Sequence, residues 1–162
     1  MKELLDKMSS YNLFNYLLPG VVYAVIMEQW SEMTLIQENL LATAFLMYFI
    51  GLVISRVGSL IIEPILKTIG FVKFADYADF VKVEKDDKKL EILSESNNMY
   101  RTLISLFLTI LISKAYLVVA EKTDLQGETN MWVVSVCLFI MFLFSYRKQT
   151  IYITKRIKTK LK

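Results

Sequence analysis

Polarity along this chain is arranged in blocks. Four apolar runs, at about 13–30, 40–56, 100–120 and 131–146, are separated by shorter stretches rich in charge. A run of ~20 apolar residues rising 1.5 Å each covers the ~30 Å hydrocarbon core of a bilayer. The pattern therefore predicts an all-α, polytopic membrane protein with four transmembrane helices. A short helical cytoplasmic segment at about 67–99 lies between the second and third spans, and a basic cytoplasmic tail occupies 147–162. The whole chain, 1–162, reads as a single membrane domain.

The third run is the most informative. Between Ser94 and Ala120 its polar residues do not scatter. At 100° per residue, Asn98, Thr102, Ser105, Thr109, Ser113 and Tyr116 fall within about a quarter of the helix circumference. Glu91 and Glu95 extend the line, while Leu103, Phe107, Ile110 and Leu111 are expected opposite. A hydroxyl stripe on a membrane helix faces protein or water, not lipid. Two roles fit it. The hydroxyls bond back to the i−4 carbonyl and pack against a neighbour, or Asn98, Thr102, Ser105, Thr109 and Ser113 line a pore.

The other runs predict packing. In the first, Pro19 removes a backbone donor and leaves the Asn15 carbonyl without its usual partner, so a kink is expected near Asn15 to Pro19. Either Asn12 or Asn15 seals that kink, or Pro19 and Gly20 form a hinge. In the second run Thr43, Met47, Gly51, Ser55 and Ser59 recur every four residues. Met47 apart, that is a small-residue face on which another helix approaches closely. The pattern continues past Arg56 through VGSLIIEPIL, interrupted by Pro64. In the polar segment, two short helices are expected around Asp86 and Asp87, with Tyr77, Phe80 and Val81 on one apolar face and Leu90 and Leu93 on another. The helix of the third span is expected to project past the membrane surface. Trp132 and Tyr146 sit at the two edges of the fourth run as interfacial anchors. Ile153, Ile157 and Leu161 give the tail the spacing of an amphipathic helix.

Charge adds an orientation. Lys2 and Lys7, eight basic residues from Arg56 to Arg101 and seven in the tail make seventeen of the nineteen Lys and Arg. With four spans all seventeen share one side, and only Lys114 and Lys122 lie on or near the other. The loop carrying Glu28, Glu32 and Glu38 holds no Lys or Arg. Positive-inside then places both termini in the cytoplasm, with two short outer loops. The charged lead Met1 to Ser10 has no cleavage site after it, which argues for an uncleaved start.

Composition narrows the chemistry. Hydrophobic residues make up 55% of the chain, the mean hydropathy is +0.43, histidine is absent and Cys137 is the single cysteine. No internal disulfide can form, and the commonest metal ligand and general base is missing. No phosphate-binding glycine loop, zincin motif or paired cysteines occur. The expectation is a non-enzymatic protein without cofactor or metal. Two features besides the stripe remain. Lys114, near the outer end of the third span, either snorkels or pairs with Glu28, or else acts in gating. Arg147, Lys148, Lys155, Arg156 and Lys158 in the tail offer contacts to anionic lipid, or to a polyanion such as a nucleotide or nucleic acid.

The stretches YNLFNYLLPG (Tyr11 to Gly20) and LSESNNMYR (Leu93 to Arg101), set in a chain of this size and span count, resemble the small four-span membrane proteins of bacterial antiphage defence operons. The Hailong channel protein and the Kiwa membrane subunit are two such proteins. The resemblance is one of style over most of the chain and carries no functional residue with it. It implies a homo-oligomer, with a tetramer favoured, that conducts ions under control of a cytoplasmic nucleotide or oligonucleotide, or disrupts the membrane. The alternative it implies is an anchor or sensor subunit that recruits a soluble effector protein.

Overall fold

The computed structural model describes residues 12–31, 34–84, 86–123 and 127–161. The charged lead Met1 to Ser10, Tyr11, Glu32, Lys85 and Lys162 lie outside them. Among the described residues every regular element is helical. Helix α1 is Leu18–Trp30, entered through the π-turn Leu13–Leu17. Helix α2 is Leu40–Val57, carried on by the π-turn Gly58–Ile62 and the helical turns Glu63–Thr68. Helix α3 is Tyr77–Val83, α4 is Lys88–Thr123 and α5 is Gly127–Lys160. Three helical stretches, Leu40–Thr68, Lys89–Glu121 and Met131–Lys160, are long and apolar enough to cross a membrane. The expected first span is not among them: its α-helical part has 13 residues, preceded by five in the π-turn.

The two prolines explain the two π-turns. Pro19 and Pro64 each follow a π-turn whose last residue is two positions earlier. A proline offers no N–H to the carbonyl four residues back and its ring crowds that carbonyl. Widening the preceding turn to i→i+5 bonds moves the backbone aside: Leu18 N–H donates to the Leu13 carbonyl, and Glu63 N–H to that of Gly58. The expected kink in α1 therefore takes the form of a π-turn.

Helices α2, α3 and α4 each start at a side-chain cap. Asn39 accepts from the N–H groups of Leu41 and Ala42 at 3.0 and 3.2 Å, Asp76 from Ala78 at 2.7 Å, and Asp87 from Lys89 at 2.9 Å. The long second helix stops in a Schellman turn. Gly70 adopts φ +75°, its N–H donates to the Lys67 carbonyl, and that of Phe71 to Leu66.

Helices α1, α2 and α4 form the core, with α1 antiparallel to α2 and α2 antiparallel to α4. The α1–α2 crossing is a backbone contact. A Cβ placed on Gly20 would lie 1.7 Å from the Met47 carbonyl oxygen, and one on Gly51 would lie 1.6 Å from that of Tyr16. Only hydrogen fits at either position. The whole predicted face Thr43, Met47, Gly51, Ser55 and Ser59 is buried. Ile54, Leu106 and Ile110 make the apolar centre of the bundle. Ile110, expected opposite the hydroxyl stripe, is thus buried with it, while Phe107 and Leu111 are exposed. Wedged between α1 and α2, α4 covers a wider arc than its hydroxyls alone mark.

Helix α5 stands apart. No residue of its most apolar window is buried, and its ring contact with α2 is Phe142 to Phe49 at 6.3 Å. Beyond the apolar runs, α4 and α5 continue as unbroken helices. At 36 and 34 residues they extend about 50 Å, well past a ~30 Å hydrocarbon core. Helix α3 is strapped to the extension of α5 by Tyr77 against Tyr152, 5.3 Å between ring centres, and by Glu84 with Arg156 at 3.1 Å.

Candidate functional site

Most of the hydroxyl stripe is engaged inside the chain. Thr102 and Ser105 are fully buried. Thr102 Oγ1 lies 2.9 Å from Asn15 Oδ1, 2.9 Å from the Asn98 carbonyl and 3.3 Å from Ser55 Oγ. Its one proton serves one oxygen at a time, and the Ser55 hydroxyl is placed to donate back. Ser105 Oγ donates to the Ile54 carbonyl at 2.7 Å, and Ser113 Oγ lies 2.9 Å from the Tyr23 hydroxyl. Thr109 and Asn98 are half-buried. Of the candidate pore-lining residues, Thr102 and Ser105 are enclosed by α1 and α2 within the chain. The physical reason is that buried hydroxyls need partners, and Asn15, Ser55 and the Ile54 carbonyl supply them.

Of the proposed hinge, Pro19 and Gly20 are both buried, and Gly20 is the residue on which α1 touches α2. Asn15, 2% exposed, lies within the π-turn and its side chain accepts from Thr102. Lys114 does not reach Glu28. Its ammonium lies over the Trp30 ring at 5.3 Å, and the Glu28 carboxylate accepts the Ile36 N–H at 2.6 Å.

The densest polar cluster sits at the charged end of the bundle and centres on Glu63. Its side chain is 9% exposed and gathers cations from three helices. Lys67 Nζ lies 3.0 Å from Oε1, Arg101 Nη1 2.6 Å from Oε2, and Lys148 Nζ 3.4 Å from Oε1. Lys148 also donates to the Ser59 carbonyl at 2.6 Å and to Ser59 Oγ at 2.8 Å. Three cations on one carboxylate leave the cluster net positive. Arg101 Nε and the Ser145 hydroxyl are buried without a partner among the described residues. The cluster holds α2, α4 and α5 together where their apolar runs end. It offers cation and hydroxyl donors and one saturated carboxylate, an arrangement suited to clamping helices and receiving anions. It contains no nucleophile paired with a base.

Lys148, one of the tail cations, therefore turns inward to Glu63 and Ser59, and Arg156 pairs with Glu84. Arg147, Lys155 and Lys158 are exposed and make no ion pair among the described residues. Glu63 was missed in the sequence. A single Glu before Pro64 looks like a boundary charge, and two of its partners lie 38 and 85 positions away. Among the described residues no group of three or more Asp, Glu or Cys could hold a metal. No family model matches the chain, and no curated protein or solved structure matches it either.

Proposed function

We propose that this protein is a membrane-embedded anchor or sensor subunit that works through the platform formed by α3 and the charged extensions of α4 and α5. The platform would hold a soluble effector protein or a polyanionic ligand, such as a nucleotide or oligonucleotide. With α1 as a fourth crossing, positive-inside puts it in the cytoplasm of a bacterial cell. One observation carries the preference: Thr102 and Ser105, the most buried part of the polar stripe, bond within a single chain. The most polar spanning surface is thereby closed, whereas the platform keeps exposed Arg147, Lys155 and Lys158.

The experiment is site-specific photo-crosslinking in cells, from the exposed Ile153 and Val83 on the platform and from Phe107 on the apolar face. The reading expects one identified soluble protein or nucleic acid from the two platform sites and none from Phe107. Lipid alone from all three sites, with current through the purified protein, would overturn it.

The unburied apolar window of α5 favours a second reading, an oligomeric inner-membrane ion channel or membrane-disrupting effector in antiphage defence. One chain has too few helices to enclose a wet path, so a pore needs several copies in closed symmetry, a tetramer for instance. Any such path would run along surfaces other than Thr102 and Ser105.

A further inference from the structure

Beside the Glu63 cluster, α2 and α5 enclose a small cleft lined in part by Arg56, Ser59, Ser145, Lys148, Gln149 and Tyr152. Its level follows from the sequence. Arg56 is the first charge after the run LLATAFLMYFIGLVIS, and Ser145 closes the run MWVVSVCLFIMFLFS. Both apolar runs stop here, at the depth where lipid headgroups begin.

Two groups in the cleft lack partners. Arg56 is half-buried and makes no ion pair among the described residues. The Ser145 hydroxyl is buried and has no hydrogen-bond partner among the described residues. A guanidinium at a half-buried position with no carboxylate beside it is stabilised when an anion meets it, and a buried hydroxyl without a partner forfeits a hydrogen bond. No carboxylate of the described residues lines the cleft, and the nearby Glu63 already carries three cations. The vacant chemistry is thus that of an acceptor-rich anion. A phosphate ester matches it, because guanidinium binds two phosphate oxygens at once and hydroxyl, amide and phenol can donate to the others.

We infer that this cleft binds a phosphate-bearing anion, with Arg56 as principal ligand, Ser145 as buried donor, and Gln149 and Tyr152 at the rim. The site is independent of the platform reading and differs from the diffuse charge of the tail, since it holds one group per chain. A lipid headgroup and a soluble phosphate share this chemistry.

The test uses the full chain in neutral detergent, titrated with short-chain phosphatidylglycerol and followed by native mass spectrometry. The parent is expected to retain one lipid per chain. Arg56→Gln and Ser145→Leu, the second filling the cleft without changing charge, are each expected to weaken that retention about tenfold to a hundredfold. Arg56→Lys loses less, and removal of Lys155 to Lys162 leaves the first bound lipid in place. Gln149→Leu, at an exposed position, changes the rim without touching the core and is expected to lose severalfold. Competition by inorganic phosphate or ATP at millimolar concentration assigns the site to a soluble phosphate; its failure assigns it to a headgroup. Parent-like retention in Arg56→Gln, Ser145→Leu and Gln149→Leu would overturn the site, as would loss of the lipid with the tail alone.

Discussion

Placing alanine at Gly20 inserts a carbon 1.7 Å from the Met47 carbonyl oxygen, against backbone that cannot rotate away. Ordinary non-bonded contact is roughly 3.5 Å, so α1 and α2 must part by nearly 2 Å at their crossing. That displacement reaches the hydroxyl network. Thr102 sits between Asn15, in the π-turn that enters α1, and Ser55 on α2, at 2.9 and 3.3 Å, and cannot follow both. Overpacking costs about 1–3 kcal/mol, and an orphaned buried amide oxygen on Asn15 about as much again. Gly20→Ala is therefore expected to destabilise the fold by about 2–6 kcal/mol, and Gly51→Ala, whose new carbon meets the Tyr16 carbonyl at 1.6 Å, by a similar amount. The pair should not add. Once one methyl has opened the gap the other fits into it, so the double variant should cost little more than either single one. Gly58→Ala, whose nearest neighbours are at 3.2 Å, is the milder comparison. The assay is unfolding of the detergent-solubilised protein by increasing SDS, followed by far-UV circular dichroism. Parent-like transitions for Gly20→Ala and Gly51→Ala, or full additivity of the two, would refute the backbone contact.

Glu63→Gln leaves Arg101, Lys148 and Lys67 without their shared carboxylate. A loss of about 3 kcal/mol is expected in the same unfolding assay, partly restored when Arg101→Met removes one of the stranded cations. Thr102→Val keeps the shape but takes the proton from Asn15 and should cost about 1–3 kcal/mol, more than Thr109→Val at its half-buried position. For orientation, single cysteines in a Cys137→Ser background should react with an impermeant thiol reagent in intact cells at Gln37→Cys and not at Lys82→Cys. Labelling of Lys82→Cys would overturn the positive-inside assignment.

What the sequence made legible was periodic or continuous. Long apolar runs marked the helices of α2, α4 and α5, and the four-residue spacing of Thr43, Met47, Gly51, Ser55 and Ser59 marked a close-packed face. Hydroxyls at i, i+3 and i+4 marked the stripe on α4. Periodicity names the face that needs a partner; it does not name the partner. Whether Thr102 meets Asn15 in its own chain or water in a pore depends on contacts 87 positions apart. Glu63 was hidden for the same reason, since a single residue has no period. Arg56 and Arg101 read as ordinary charges at the ends of spans until the structure placed Arg101 in the Glu63 cluster and Arg56, without an ion pair among the described residues, in a cleft.

The most direct measurement is single-channel current from the purified full chain in planar bilayers, parent beside Thr109→Phe, with folding of both checked by circular dichroism. If the stripe packs within one chain and the protein works through its platform, the parent gives no unitary steps above the bare bilayer. Thr109→Phe then only overfills the bundle, at a cost of about 1–3 kcal/mol. Discrete steps from the parent that vanish in a still-folded Thr109→Phe would contradict this and return the stripe to the wall of a pore.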